Sequence, residues 1–415
     1  MGHAPIVDLL VVGADAAGFA AAACAARKGA SAALIKTGGE PNEEGFALEP
    51  PNFVWRLLDL QQYELRFETV EEYASLHHSG PAISTFGDSA KTAEALAAID
   101  PALAHLWPQF AEEAESHAPD PGESRRISAR QFLSANAVLD DYFADERLKT
   151  HLINALVAPY GLSGDEIGSA EALSSIEGWR RRQTSRRALG DSLKSAAQSA
   201  NVEIAAGRLQ SLEHVDSKFW RAVTDEGKEL RSRAVMASSA LIGEAAGLRV
   251  ACGGSPLVRR SGAEAVVKIR YDRRPKLPGK SARARYFTAP DRTAIIRARN
   301  SMREGRIPED APMAIEIAGK EVVVRAPFCP SRLRENGELR DWTGQDRQIL
   351  GRQAAAAVER ALGAIGVIRE IEVAIGPDAA AGLQRRSFVS PPIPAPPPSP
   401  DPIGAAAALA IQLSR

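Results

Sequence analysis

The sequence has only three cysteines in 415 residues, Cys24, Cys252 and Cys329. They are scattered and odd in number, with no CxxC pair. That pattern excludes a disulfide framework and a cysteine zinc site, and it points to a reducing, cytoplasmic setting. Histidine is also scarce, seven in all, with no HExxH pattern. His77-His78 is the only adjacent pair and reads as a surface turn before Ser79-Gly80-Pro81. No run approaches the roughly eighteen apolar residues of a membrane span. Residues 1–30 lack a basic leader, and Asp8 and Asp15 interrupt their apolar run, so no signal peptide is expected. A net charge of −1 gives no global pull toward nucleic acid or anionic membranes. There is no nucleophile elbow and no acid–base pair at hydrolase spacing, so no catalytic residue is assigned.

What the chain does have begins at residue 8. DLLVVGADAAGFAAAACAARKGASAALIK fills 8–36. An apolar strand runs into Gly13-Ala14-Asp15-Ala16-Ala17-Gly18, then an Ala-rich helix and a second strand. This is the β-α-β layout of a dinucleotide site, whose pattern is Gly-x-Gly-x-x-Gly with an acid about twenty residues on. Gly13 serves the tight turn and Gly18 the close packing of helix on strand. The amides near Ala16 and Ala17 complete the core of such a site. Asp15 stands where the middle glycine belongs. It brings a side chain and a like charge to the point nearest a pyrophosphate. Two unit charges about 4 Å apart repel by roughly 4 kcal/mol at an effective dielectric of 20, about a thousandfold in binding. Rotation to solvent or N-capping of the helix would relieve this. Lys36 stands where the acid belongs. An ammonium cannot accept the ribose hydroxyl hydrogen bonds. It is a solvated lysine, a partner contact, or a contact to an NADP 2′-phosphate.

Further along, helices are expected at 52–65, 88–99, 101–117, 127–141 and 145–158. Strands follow at 202–206, 209–215, 219–224, 230–237 and 264–271, with a hairpin joining 313–317 to 321–325. A long helix covers 344–362, and a short strand 370–375. The proline-rich stretch 391–402 reads as a stiff extended linker, leading into an Ala-rich helix over 404–413. The basic run from Trp179 through Arg180 to Arg187 is either an anion- or partner-facing patch or a solvated face. Cys252-Gly253-Gly254 reads as an inert thiol in a loop.

The order of these segments resembles the phytoene-desaturase-like flavoproteins of the amine-oxidase superfamily of FAD-dependent oxidoreductases. VVGADAAGFAAAACAARKGASAALI occupies the place of the FAD fingerprint, followed by LIKTGG and PNFVWRLLDLQQYELRF. DSLKSAAQSANVEIAAGRLQSL and TDEGKELRSRAVMASSA match the helix and meander that return to the FAD domain. IEVAIGPDAAAGL and GAAAALAIQL match the late strand and terminal helix. The resemblance implies an α/β fold: a Rossmann-like FAD/NAD(P)-binding domain with a second, α+β substrate-type domain. The expected boundaries are 1–85, 176–245 and 367–415 for the first, 86–175 and 246–366 for the second. It also implies that Gly404 opens a helix aimed at the pyrophosphate.

Three departures from the family bear on the cofactor. Asp15 and Lys36 are two. The third is the proline-rich stretch, in place of the Gly-rich segment that lies along the flavin ring. Only one glycine, Gly190, precedes the helix at 191–199. These losses imply that FAD binding is weakened or lost, with NADP ranking below FAD as a ligand. In this superfamily the flavin carries the chemistry. The expectation is therefore a degenerate, non-catalytic structural or regulatory subunit, with an active paralogous flavoprotein as its possible partner. The alternatives are a working FAD-dependent oxidoreductase on an apolar or lipid-like substrate, and a binder of NADP or another phosphorylated ligand.

Overall fold

The computed structural model describes residues 5–37, 46–76, 82–115, 133–160, 162–170, 172–173, 182–215, 218–238, 250–252, 263–276, 284–288, 291–363, 365–376, 393–395 and 402–414. In chain order they form β1 (Ile6–Val12), α1 (Ala16–Arg27), β2 (Ala32–Lys36), β3 (Phe46–Leu48), α2 (Asn52–Leu57), β4 (Glu72–Ser75) and β5 (Ile83–Phe86). A helical run follows: α3 (Ser89–Ala97), α4 (Pro101–Glu115), α5 (Ala135–Tyr142) and α6 (Glu146–Tyr160). Next come β6 (Gln183–Ser185), α7 (Arg186–Ser199), β7 (Glu203–Val215), β8 (Phe219–Thr224), β9 (Glu229–Ala237), β10 (Val250–Cys252), β11 (Ala263–Tyr271) and β12 (Ala284–Thr288). Last are α8 (Arg292–Arg303), β13 (Met313–Ala318), β14 (Glu321–Cys329), β15 (Leu333–Glu335), β16 (Glu338–Arg340), α9 (Gly344–Leu362), β17 (Ile368–Gly376), β18 (Ile393–Ala395) and α10 (Pro402–Leu413).

The chain divides into two units. The first holds Met1–Phe67, Gln183–Ser255 and Pro377–Arg415; the second holds Glu68–Arg182 and Pro256–Gly376.

In the first unit β1 lies parallel to β2 on one side and β9 on the other. β2 continues to β7, and the antiparallel β7-β8-β9 meander closes a barrel. Val7, Leu10, Ile35, Leu212 and Trp220 fill its interior. On the outer face Leu9, Val11 and Leu34 pack against α1, α7 and α10. Every residue from Ala17 to Ala25 of α1 is buried, as expected of a helix apolar all round. Its alanines meet Ile403, Ala406, Ala407 and Ala410 of α10.

The second unit is built on a seven-stranded sheet, in the order β17-β11-β14-β13-β12-β4-β5. One core joins Tyr73, Phe287 and Phe328 of the sheet to α3 through α6 and α8. The opposite face buries Val267, Ile269, Ile315 and Val324 against Leu350, Ala354 and Val358 of α9.

Several expectations are corrected. The helix read over 52–65 stops at Leu57 and resumes as a 3-10 turn over Leu60–Tyr63. Leu58 and Leu60 are both fully buried, and residues two apart cannot share one face of an α-helix. The left-handed turn at Asp59 (φ 50°) brings both inward. The strands read at 202–206 and 209–215 are one strand, β7, carried through Gly207 at φ 78°. Glu72–Ser75 and Ile83–Phe86, assigned to the dinucleotide domain, are β4 and β5 of the second unit's sheet, where β4 pairs with β12. Residues 368–376, assigned likewise, pair with β11. Strand partners far apart in sequence decide these memberships, and local pattern does not carry them. Within the proline-rich stretch, read as a stiff extended linker, Ile393–Ala395 is a strand paired parallel to β10. His77-His78, Trp179–Arg181 and Gly253-Gly254 lie outside the described residues.

Candidate functional site

The candidate site sits where β1 has β2 on one side and β9 on the other, at the strands' carboxyl ends. The carboxyl ends of parallel strands are where α/β folds take ligands. Gly13 leaves β1 at φ 118°, a conformation L side chains rarely adopt. Its N–H donates to the Ile35 carbonyl at 2.9 Å. A Cβ on Gly18 would lie 1.9 Å from the Gly13 carbonyl oxygen. Both glycines thus have the steric duties that the motif assigns to them.

Asp15 adopts ordinary extended backbone (φ −92°, ψ 176°) and is the N-cap of α1. Its Oδ1 accepts the Gly18 N–H at 2.8 Å. Of the two relief routes open in the sequence, the side chain takes the capping one. Helix geometry leaves the N–H groups of Ala16 and Ala17, the first two helical residues, without intrahelical acceptors. Burial pushes the Asp15 carboxyl above the usual carboxylate range. The Gly18 bond, the Ser238 hydroxyl and the Arg186 charge pull the other way.

Ser238 and Arg186 complete this surround. Ser238 follows β9, and its N–H donates to the Val12 carbonyl at 2.8 Å. The side chain is fully buried. Its hydroxyl faces the Asp15 carboxyl without a hydrogen bond of normal geometry. Arg186 is the first residue of α7. The basic run marked Arg186 in the sequence as a candidate anion-facing group. Ser238 had no signal beyond being a small polar residue at a strand's end.

Lys36 ends β2, exposed, in register with exposed Arg208 of β7. Among the described residues neither side chain has a charged or hydrogen-bonding partner. Gly404 is buried in α10, which packs along α1.

A second polar cluster, not foreseen from the sequence, lies inside the second unit. His151 is fully buried. Its Nδ1 is 2.8 Å from Ser75 Oγ and its Nε2 is 2.8 Å from Thr85 Oγ1. Asn154 donates to the same Ser75 oxygen at 3.3 Å. Asn154, Phe287 and the Glu264–Arg325 ion pair (3.1 Å) line a small recess. Among the described residues no His, Cys, Asp and Glu group is placed to hold a metal, and no helix is long and apolar enough to cross a membrane.

No protein-family model matches the sequence, and no curated protein matches it. Solved structures do resemble it. Wild-type putrescine oxidase bound to putrescine aligns with TM-score 0.53 at 12% identity, over 99% of this chain and 99% of that one. Rab GDI from Plasmodium falciparum aligns with TM-score 0.50 at 10% identity, over 90% and 89%. Cyclohexylamine oxidase from Brevibacterium oxydans aligns with TM-score 0.50 at 12% identity, over 89% and 85%. At such identities the likeness shows the fold alone: mixed α/β and Rossmann-like, as in those structures.

Proposed function

We propose that this chain is a degenerate relative of the phytoene-desaturase-like flavoproteins, a non-catalytic structural or regulatory subunit whose dinucleotide cradle does not hold FAD in the usual way. The fold is shared by proteins named as oxidases and by one named Rab GDI, so the fold alone does not select catalysis. The observation that carries the reading is the Asp15 carboxyl on the Gly18 amide. A dinucleotide pyrophosphate needs the amides of this helix end, and one is taken by an acidic side chain. Ionised, that side chain also repels the phosphates. Lys36, with donors only, cannot take the ribose hydroxyls. The residues present therefore do not fit FAD. An active paralogous flavoprotein in the same reducing, cytoplasmic compartment is the natural partner of such a subunit.

A second reading, a site for NADP or another phosphorylated ligand, is favoured by Lys36 standing beside Arg208 with no acid among the described residues paired to either side chain. Two adjacent cations suit a phosphomonoester.

One experiment tests both. The protein is purified from its native host, released flavin is quantified by absorbance, and co-purifying proteins are identified. Titrations with FAD, NADP and NAD follow. Colourless protein that takes up no added FAD and brings a stoichiometric partner supports the first reading. A stoichiometric flavin band overturns it and restores the oxidoreductase acting on an apolar or lipid-like substrate. NADP binding at least tenfold tighter than NAD, lost in Lys36→Ala, establishes the second reading; equal affinities dismiss it.

A further inference from the structure

We infer that one end of the second unit's sheet is a docking surface for an anionic phospholipid membrane, with a collar of lysines and arginines on the headgroups and Val367 entering between them. The inference goes beyond the subunit reading and does not depend on it.

Three segments meet at this end. β11 runs out at Tyr271, whose N–H donates to the Lys320 carbonyl, in the turn between β13 and β14, at 2.9 Å. The Asp272 N–H donates to the Val367 carbonyl at 3.0 Å, and Asp272 Oδ1 accepts the Val367 N–H at 3.0 Å. Arg273 Nε donates to the Ile365 carbonyl. The approach requires Gly366, at φ 148°, where a Cβ would lie 2.3 Å from Asp272 Oδ1. Both main-chain groups of Val367 are thus fastened, and its side chain stands 59% exposed. A single exposed valine is ordinary; this one is set apart by what surrounds it.

The surroundings are cationic. Arg273, Arg274, Lys276, Lys320 and Arg369 come from the same three segments, and all are exposed. Among the described residues the side chains of Arg274, Lys276, Lys320 and Arg369 meet no acid. The acids of the adjoining positions are engaged: Asp272 with the Val367 amide, Glu321 and Glu370 with Arg270 at 3.8 and 2.8 Å. The chain's net charge of −1 does not oppose this. Screening confines attraction to about 8 Å at physiological salt, so the patch and not the whole protein sets the local potential. Basic side chains over an anionic leaflet, with an aliphatic group at the acyl boundary, give reversible peripheral binding. Lysine and arginine stems can lie on apolar surface while their heads stay with the phosphates. A single-stranded nucleic acid calls for aromatic side chains that stack on bases, and residues 272–276, 319–320 and 365–369 include none. A protein partner would have to supply a pocket for Val367; a bilayer offers an apolar interior without one.

The test is co-sedimentation of the full chain with vesicles. Wild type should bind vesicles holding about 30% phosphatidylserine at least about tenfold tighter than pure phosphatidylcholine vesicles, and should leave them in about 0.5 M NaCl. Arg274→Glu with Lys276→Glu should weaken binding at least about thirtyfold. Val367→Asp should weaken it several-fold, and Val367→Trp should tighten it, since tryptophan favours the membrane interface. Lys28→Glu with Lys194→Glu changes the net charge equally, at exposed positions of the first unit, and should stay within about threefold of wild type. Wild type that ignores the phosphatidylserine vesicles overturns the inference and leaves the patch to an acidic protein. A control pair that weakens binding as much as the patch pair also overturns it, as does a tryptophan variant no tighter than wild type.

Discussion

A single side chain, that of Asp15, takes the Gly18 amide at the N-terminus of α1. The sequence left two conformations open to Asp15; the structure selects the cap. Its Ser238 neighbour was not legible, because a turn at the end of β9 meets the end of β1 only through the sheet. Asp15 also has a consequence for pH. Burial raises its carboxyl above the usual carboxylate range in the folded state, so the unfolded chain ionises first. Stability from this group is full below the ordinary range and declines as pH rises through the raised value. Asp15→Asn keeps the cap and cannot ionise. Urea unfolding from pH 4 to pH 8 should show the Asn variant gaining on wild type as pH rises. A constant difference would mean that the carboxyl is not raised.

At the level of elements, helices that carry their own start and stop signals were the most legible. α9 is the clearest case, because its signals are local. Thr343 and Asp346 form a reciprocal capping box, and Gly363 ends the helix. Arg340 adds to the box by forking onto both Asp346 oxygens, at 2.6 and 3.0 Å. The Arg340 guanidinium, with the Thr343 hydroxyl and amide, holds the Asp346 carboxyl well below the usual carboxylate range. The sign is the reverse of Asp15: this stability is present above the ordinary range and lost as pH falls toward the depressed value. Asp346→Ala should cost about 2 kcal/mol at neutral pH, measured by urea unfolding, and the deficit should shrink at pH 3. Short strands were the least legible elements. β4, β5 and β12 have few residues each, and their place in the sheet is set by partners far away in the chain.

At the level of the whole molecule, the fold class was legible because one motif and the order of segments sufficed for it. The limits of each unit were not. The chain passes between the two units four times, and the crossing points follow strand pairing rather than composition. The Ala-rich character of α1 and α10 was plain in the sequence. Their mutual burial was not, since alanine fits a surface as readily as a tight helix contact.

Among the described residues that interleaving leaves one buried thiol in each unit, Cys24 in α1 and Cys329 at the end of β14. Burial pushes the Cys24 thiol up to about 12, so it presents almost no thiolate to reagents while its helix stays packed. In a Cys252→Ser background, the alkylation rate of each remaining thiol becomes a clock for the opening of the unit that holds it. Two rates that coincide would mean that the interleaved halves come apart as one. Two that differ would rank them.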